Sequence, residues 1–156
     1  MNKEQLAAYH DAIRWLTGRE FCVSEMRRRL AGREYDDEMI RVVIDQLQHD
    51  GYLSEARYAE AYIRARMNRG EAPWLAAQRA RQKGAEAAVV EAALSELTEH
   101  YDAEEVARDL VSGRDPGGLR FDDKRVWQRQ ARFLRNKGFA ADIILRVLNE
   151  SMEDSR

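Results

Sequence analysis

The sequence predicts an all-α protein built from three tandem three-helix repeats that form an elongated, curved body. Three observations support this class. The 156 residues include only nine glycines and two prolines, and 35% of them are charged, which is typical of helical proteins. Apolar residues recur at intervals of three and four, as they do along one face of an α-helix. A basic segment ending in Lys-Gly also occurs twice, about 50 residues apart, which indicates an internal repeat.

The first repeat is expected at residues 6–53. Its helices are placed near 3–17, 24–31 and 36–49. A good N-cap residue stands at the start of each helix, namely Asn2, Ser24 and Asp36. The third helix carries the clearest apolar stripe, formed by Met39, Ile40, Val43, Ile44 and Leu47. Gly51 suits the left-handed residue that commonly ends a helix.

The second repeat is expected at residues 54–101. Its helices are placed near 54–69, 73–83 and 86–99. Ser54 is a good N-cap for the first of them, and Pro73 suits a first helical position, where a missing N–H leaves no hydrogen bond unmade. Gly84 follows the second helix as a C-terminal residue. The first helix has a stripe formed by Tyr58, Ala61, Tyr62 and Ala65.

The third repeat is expected at residues 102–150. Its helices are placed near 102–112, 122–136 and 140–150. Asp102 and Asp122 are the N-cap candidates. Residues 112–118 contain three glycines and a proline, so they are expected to form a loop between the first two helices. The last helix has an apolar stripe formed by Ile143, Ile144, Val147 and Leu148.

The internal repeat is carried by the ends of the middle helices. Arg81-Gln82-Lys83-Gly84-Ala85 resembles Arg135-Asn136-Lys137-Gly138-Phe139, and residues 29–35 are a weaker echo that places Glu34 in the position of the two glycines. Each unit can bury only a small core, so neighbouring units must share apolar surface. One compact nine-helix domain with accidental similarity is the alternative.

The common motifs of catalysis and metal binding do not occur. His10, His49 and His100 are about 40 to 50 residues apart, and none has a cysteine nearby. Cys22 is expected to be a small buried thiol. The sequence therefore predicts a protein without catalytic activity, metal or cofactor. The single cysteine excludes an internal disulfide, and no apolar run approaches the roughly 18 residues of a membrane span, so a cytoplasmic location is expected.

Charge is segregated along a chain whose net charge is -2. Basic residues outnumber acidic ones seven to two in 57–84 and again in 120–138, whereas acidic residues outnumber basic ones eight to one in 86–109. The basic segments could form surfaces that dock on an acidic protein face or a phosphate backbone. Basic and acidic helices of neighbouring repeats could equally pair with each other. Charge alone leaves both interpretations open.

Several segments resemble the RecX family. Residues 51–60, GYLSEARYAE, resemble its Gly-Tyr-Leu-acid-x-x-Arg-aromatic-Ala signature. Residues 69–84 resemble its segment that runs from basic-Gly-x-Gly-Pro to Lys-Gly, except that Ala72 replaces the glycine before Pro73. Residues 132–139, RFLRNKGF, resemble its C-terminal Arg-Phe-Leu segment, and Ser24-Glu25-x-x-Arg28-x-Leu30 is loosely similar to its N-terminal pattern. The resemblance spans about residues 10–150.

This resemblance implies a regulator that lies along the groove of the RecA–DNA filament and typically inhibits the ATPase, strand-exchange and co-protease activities of RecA. Such a protein takes part in regulating DNA repair and recombination and the SOS response, and it needs no metal or cofactor. The expected partner-binding residues are cations of the second and third repeats, namely Arg57, Arg64, Arg66, Arg69, Arg79, Lys83, Arg129, Arg132, Arg135 and Lys137. The expected repeat-interface and motif residues are Gly51, Tyr52, Leu53, Tyr58, Pro73, Gly84, Phe133 and Gly138.

Two other functions remain as alternatives. A stand-alone DNA-binding module would bind single- or double-stranded DNA without RecA, with a steep dependence on salt. A generic helical scaffold would have no effect on RecA. The net negative charge favours protein contacts over strong direct DNA binding, and a monomer without membrane contact is expected. Charge reversal at Arg66 and Arg69 is expected to weaken filament inhibition without unfolding the protein.

Overall fold

A computed structural model of the chain describes residues 1–150. Within these residues nine α-helices and one short 3₁₀ turn account for the regular structure, and no strand occurs. The helices are α1 Lys3–Leu16, α2 Val23–Gly32, α3 Asp37–His49, α4 Glu55–Met67, α5 Pro73–Gln82, α6 Ala87–Leu97, α7 Ala103–Arg114, α8 Lys124–Asn136 and α9 Ala141–Asn149. The 3₁₀ turn is Leu119–Phe121. The predicted all-α class and its three-helix units are therefore confirmed.

Most of the predicted helix starts are capped as expected, but α2 begins differently. Its N-cap is Cys22 rather than Ser24. The side chain of Glu25 reaches back to the backbone N–H of Cys22 at 3.3 Å, and a carboxylate oxygen of Glu55 accepts from the N–H of Val23 at 2.8 Å. Because Glu25 of the same helix satisfies one donor and Glu55 of α4 satisfies the other, the helix starts without a hydroxyl cap.

The predicted loop at 112–118 is shorter than expected. Helix α7 continues through Gly113 to Arg114, whose Nε donates to Oε1 of Gln130 on α8 at 3.0 Å. The chain then turns at Asp115, whose carboxylate accepts from the backbone N–H groups of Leu119 and Arg120. The following 3₁₀ turn moves the cap of α8 by one residue, from the predicted Asp122 to Asp123.

The core consists of three separate apolar clusters, one for each set of three helices. Helices α1–α3 surround the first cluster, which includes Phe21, Met26 and Leu47. Helices α4–α6 surround the second, where the α5 side of the core is formed by small residues, Ala76, Ala77 and Ala80. Helices α7–α9 surround the third. The strong helix packing is all within these units, so each unit depends on its own modest core and on its junctions.

The first junction forms where the turn between α5 and α6 packs against the start of α2. The carbonyl oxygen of Lys83 accepts a hydrogen bond from Nη2 of Arg28 at 2.9 Å and lies 3.7 Å from Sγ of Cys22. Gly84 lies against Ser24, so closely that a Cβ at position 84 would overlap the serine side chain. A backbone carbonyl and small residues therefore make this contact.

A buried carboxylate closes the same junction. Glu55, the first residue of α4, accepts hydrogen bonds from the N–H of Val23 at 2.8 Å and from the N–H of Glu86 at 3.3 Å. These donors belong to the starts of α2 and α6, whose first N–H groups have no partner inside their own helix. One side chain therefore joins helix starts from two units.

The second junction is built in the same way from the turn between α8 and α9. The carbonyl oxygen of Lys137 accepts from the N–H of Ala72 at 2.7 Å, and that of Gly138 accepts from the indole Nε1 of Trp74 at 2.6 Å. A Cβ at position 138 would lie 2.9 Å from Cβ of Leu75 on α5. Cys22 and Ala72 are both N-caps of the middle helix of their unit, so equivalent positions meet equivalent Lys-Gly turns.

The first unit has the corresponding turn at Glu34. Glu34 has φ +66°, and among residues 1–150 it is the one non-glycine residue with positive φ. Gly84 and Gly138, the positions that the sequence repeat aligns with Glu34, have φ +102° and +94°. A side chain is tolerated at 34 because Glu34 is exposed, whereas a preceding unit occupies that space at the other two turns.

Candidate partner-binding surface

Four of the expected cations of the second unit form ion pairs within the protein. Arg64 pairs with Glu60 one turn earlier on α4, at 2.7 Å. Arg57 pairs with Glu20 of the first unit at 3.1 Å, and its Nη2 donates to the carbonyl oxygen of Gly51. The remaining two, Arg66 and Arg79, share the carboxylate of Glu71. These four arginines therefore help to hold the second unit together and to attach it to the first.

Glu71 is the shared acceptor and the centre of this arrangement. Its side chain is only 8% exposed, and its oxygens lie 2.9 Å from Nε of Arg66 and 3.1 Å from Nε of Arg79. The Glu71 carboxylate raises the pKa of Arg66 still further above its already high value. Reversing the charge of Arg66 would leave Glu71 facing another carboxylate in a buried place. Such a variant would perturb folding, so it cannot test binding cleanly, contrary to the sequence-based expectation.

Arg69 and Lys83 are the two remaining cations of the expected set in the second unit, and both are exposed. In the described part of the chain neither side chain forms an ion pair, and both residues lie at junctions. The carbonyl oxygen of Arg69 accepts from Nζ of Lys137 at 3.2 Å, and that of Lys83 accepts from Arg28. The backbone carbonyl groups of these two residues therefore stabilise the junctions, while their side chains face solvent.

The outer side of α8 carries an exposed row of arginines, which we call the α8 cationic face. Its members are Arg125, Arg129, Arg132 and Arg135. The spacings of four, three and three residues place them on one side of the helix. The opposite side buries Gln130 and Leu134. No carboxylate among residues 1–150 pairs with any of the four guanidinium groups, so this row is available to an external anion.

Two other basic residues of the third unit face the protein instead. Arg120, counted from sequence with the basic segment, is buried and pairs with Asp115 at 3.0 Å. Lys137 is half-buried, with Nζ 5.7 Å from the ring centre of Phe133. The guanidinium of Arg114 also packs against the Phe133 ring, 3.8 Å from the ring centre. Lys137 and Phe133 thus lie in the body of the third unit and its junction.

A shallow apolar groove runs between α8 and α9, next to the α8 cationic face. It has a volume of about 340 Å³ and is lined by Trp127, Gln128, Ala131, Arg132, Arg135, Ala141, Ile144 and Leu145. The indole Nε1 of Trp127 donates to Oδ1 of Asn149 at 3.1 Å, which fixes the ring at one end. Leu145 is 50% exposed. We call this feature the α8–α9 groove.

The expected motif residues lie mostly inside the units. Leu53 is buried in the first core, and Tyr58 is buried in the second. Tyr52 is half exposed and packs edge-on against Tyr9 of its own unit, with ring centres 6.3 Å apart, rather than against the second unit. Gly51 has open space around its α-carbon, and Pro73 is the first residue of α5. Gly84 and Gly138 are the junction residues already described.

Sequence reasoning missed several residues that shape this surface. Glu71 and Asp115 neutralise basic residues that the charge count had assigned to the surface. Glu71 lies five residues from Arg66 and Asp115 five residues from Arg120, too far for pairs on one helix, so no helical spacing rule reveals them. Leu145 was missed because it adjoins the apolar stripe of α9. The one signal available was its place at the edge of that stripe, one residue after Ile144 and therefore about 100° further around the helix.

The remaining chemical groups of the described residues concern metal binding, the single thiol and membrane spans. No group of three or more His, Cys, Asp or Glu side chains in residues 1–150 could hold a metal ion. Cys22 is buried, and burial raises the pKa of its thiol, which disfavours the reactive thiolate. None of the helices in this part of the chain is long and apolar enough to span a membrane.

Comparison with known proteins gives three matches to sequence models of RecX. The first three-helix domain of RecX matches residues 8–47, the second matches residues 54–94 and the third matches residues 102–148. These matches fall on the three sets of helices that enclose separate cores.

Curated proteins and solved structures give the same result over nearly the whole chain. The chain is 34% identical over 143 residues to the regulatory protein RecX of Halorhodospira halophila, covering 92% of this chain and 87% of the relative. It is 37% identical over 144 residues to that of Pseudomonas putida strain GB-1, covering 92% and 90%. The crystal structure of RecX from Lactobacillus salivarius superposes with a TM-score of 0.77 at 21% identity, covering 95% of this chain and 96% of that one.

Proposed function

Because this chain belongs to the RecX family of regulatory proteins, which is not an enzyme family, we propose that it binds the RecA–DNA filament and inhibits it. The inhibition would reduce the ATPase, strand-exchange and co-protease activities of RecA and so regulate DNA repair and recombination. The protein would act as a monomer in the cytoplasm, where the filament forms. The proposed units are 6–53, 54–101 and 102–150, laid in succession along the filament groove as an elongated, curved body.

The observation that carries this proposal is the α8 cationic face. Its four guanidinium groups are exposed and have no internal carboxylate partner in the described chain. They are spread over about 15 Å, the rise of ten helical residues. A row of unpaired cations on a rigid helix suits an extended acidic surface, whether acidic side chains of a protein polymer or nearby phosphates. Arg69 and Lys83 extend the cationic surface into the second unit.

The internal ion pairs assign a different role to the rest of the predicted set. Arg66 and Arg79 hold Glu71, and Arg57 holds Glu20 across the first junction. We therefore propose that Arg57 helps to keep the first two units in their relative orientation and that Arg66 and Arg79 keep the second unit rigid, while the third unit supplies most of the electrostatic contact. Rigid orientation matters because a polymer presents its sites at fixed intervals, and a flexible array would lose entropy on binding.

The test is RecA ATPase activity on single-stranded DNA, measured with increasing amounts of the protein. We expect the wild type to inhibit and the triple variant Arg129→Glu/Arg132→Glu/Arg135→Glu to lose inhibition by at least tenfold in midpoint concentration. The matched control is Arg81→Glu, since Arg81 is also an exposed arginine that forms no ion pair in residues 1–150. Equal inhibition by the triple variant and the wild type would contradict the assignment of this face. No effect of the wild type on RecA would refute the function.

Direct DNA binding is the second candidate, and the same cationic face favours it. The two functions differ when RecA is absent. A DNA-binding module would bind an oligonucleotide tightly, with a logarithmic salt slope that grows with the number of phosphates contacted, up to about four for this row. A filament regulator that relies on protein contacts would bind the bare oligonucleotide weakly at physiological salt. A titration of labelled oligonucleotide at several salt concentrations separates them.

A further inference from the structure

The α8–α9 groove combines an apolar floor with a cationic rim. Its floor is apolar, with Ala131, Ile144 and the half-exposed Leu145 between the two helices. Its α8 rim carries Arg132 and Arg135, both exposed and both without a carboxylate partner in the described residues. An exposed apolar floor beside unpaired cations has the composition of a protein-binding site rather than of ordinary surface.

The groove is also held in shape before any partner arrives. Trp127 closes one end, and its hydrogen bond to Asn149 ties the indole of α8 to the last residue of α9. Ile144 is almost fully buried, so the floor is anchored in the third core. A preformed site loses little conformational entropy on binding, which increases the affinity available from a small contact area.

The size and charge of the groove define its occupant. A volume of about 340 Å³ is at the low end of ligand-sized cavities, so it suits one or two side chains rather than a whole cofactor. No carboxylate lines it within the described chain, and its two charges are positive. The nearest acid on α9, Asp142, is engaged by Arg146 at 3.5 Å. The complement is a large apolar side chain flanked by carboxylates.

We propose that the α8–α9 groove binds an acidic protein segment that inserts one large apolar side chain between α8 and α9. The carboxylates on either side of that side chain pair with Arg132 and Arg135. A nucleic acid fits less well, because the floor offers aliphatic groups to a phosphate backbone and Leu145 gives no flat surface for a base to stack on. Assigning this segment to the protein subunits of the filament rests on the proposed function, but the chemistry of the groove does not.

The experiment uses a fluorescein-labelled peptide with Leu-Phe at its centre and three acidic residues on each side, measured by fluorescence anisotropy with the full-length protein. Two control peptides separate the contributions. One replaces Leu-Phe by Ser-Gly and keeps the charge, and the other replaces the acids by lysine and keeps the apolar pair. We expect the first peptide to bind at least fivefold more tightly than either control.

Variants of the protein locate the peptide. Leu145→Glu and Arg132→Ala are each expected to weaken binding at least fivefold. Their matched controls in other units are Leu6→Glu, which replaces another exposed leucine, and Arg81→Ala, which removes another exposed arginine without an ion pair in residues 1–150. These controls should leave binding unchanged. Circular dichroism confirms that each variant folds, and Arg132→Ala provides a readout even if Leu145→Glu does not fold.

Three results would overturn the inference. The charge-only peptide could bind as tightly as the complete one, the Leu145 and Arg132 variants could bind like the wild type, or an oligo(dT) probe could bind in the groove and be lost with Leu145→Glu. The RecA ATPase assay distinguishes this failure from failure of the proposed function. Inhibition without peptide binding would refute the groove alone, and peptide binding without any effect on RecA would refute the filament function alone.

Discussion

The substitution Gly138→Ala tests whether the Lys-Gly turn forms the joint between the second and third units. At φ +94° an alanine adopts a left-handed conformation that costs about 1–2 kcal/mol. The added Cβ would also lie 2.9 Å from Cβ of Leu75 and 3.2 Å from Cβ of Ala72. Neither neighbour can rotate away, because a Cβ moves only with its backbone, and such overpacking costs about 1–3 kcal/mol more. The expected loss of stability is therefore about 2–5 kcal/mol.

Gly51→Ala is the matched control for this prediction. Gly51 has φ +81°, but an added Cβ would meet nothing within 4 Å. It therefore shares the backbone cost without the packing cost, and its expected loss is about 1–2 kcal/mol. Urea unfolding followed by circular dichroism measures both variants. In a background that carries Trp15→Phe and Trp127→Phe, the fluorescence of Trp74 reports on the joint itself, because its indole donates to the carbonyl oxygen of Gly138 at 2.6 Å.

The outcome that refutes this reasoning is equal destabilisation by the two substitutions with unchanged Trp74 fluorescence. The glycine at 138 would then serve only its backbone conformation, and the units would be joined by other contacts. A larger loss for Gly138→Ala together with a shifted Trp74 spectrum would support the packing argument.

Three further predictions address the first junction, the loop of the third unit and the turn at Glu34, which corresponds in the first unit to the two Lys-Gly turns. Glu55→Ala removes the acceptor of two partly buried N–H groups and should cost about 2–4 kcal/mol in urea unfolding, while Glu55→Gln keeps one oxygen and should cost less. Burial alone would raise the pKa of Asp115, but hydrogen bonds from Arg120 and Leu119 lower it below its usual value. The ionised Asp115 therefore stabilises the fold above about pH 4, and this stabilisation is lost as the pH falls through the lowered pKa. Asp115→Asn should consequently reduce the free energy of unfolding more at pH 7 than at pH 3. An equal reduction at the two pH values would contradict this. Glu34→Gly relieves a left-handed backbone and should raise stability by about 0.5–1 kcal/mol in thermal unfolding, whereas a loss would contradict the strain assigned to that turn.

Much of the fold follows from local sequence, because helix periods and caps act over a few residues. The apolar stripe of α3 and the caps Asn2, Asp36 and Ser54 are local signals, and the structure has them as expected. The repeat alignment also places Glu34 at the glycine position, in agreement with its positive φ. The cap of α2 was wrong because its donors are satisfied from other positions, one of them by Glu55 on another helix.

The candidate surface was harder to predict, because charge counts do not show which cations are already neutralised. Arg66 and Arg79 belong to different helices, and only the tertiary fold brings both to Glu71. Arg132 and Arg135 are indistinguishable from them in composition, yet they remain exposed without an internal partner in the described residues. The α8–α9 groove depends on how two helices pack, and the sequence of neither helix contains that information.

The joints between units have a consequence for how such a protein can vary. At both of them the acceptor is the carbonyl oxygen of a lysine, Lys83 or Lys137. A peptide oxygen is present whatever side chain the residue carries, so substitutions of Lys83 or Lys137 keep the acceptor at the joint. The backbone contacts can therefore maintain the spacing between units while the exposed side chains of each unit vary.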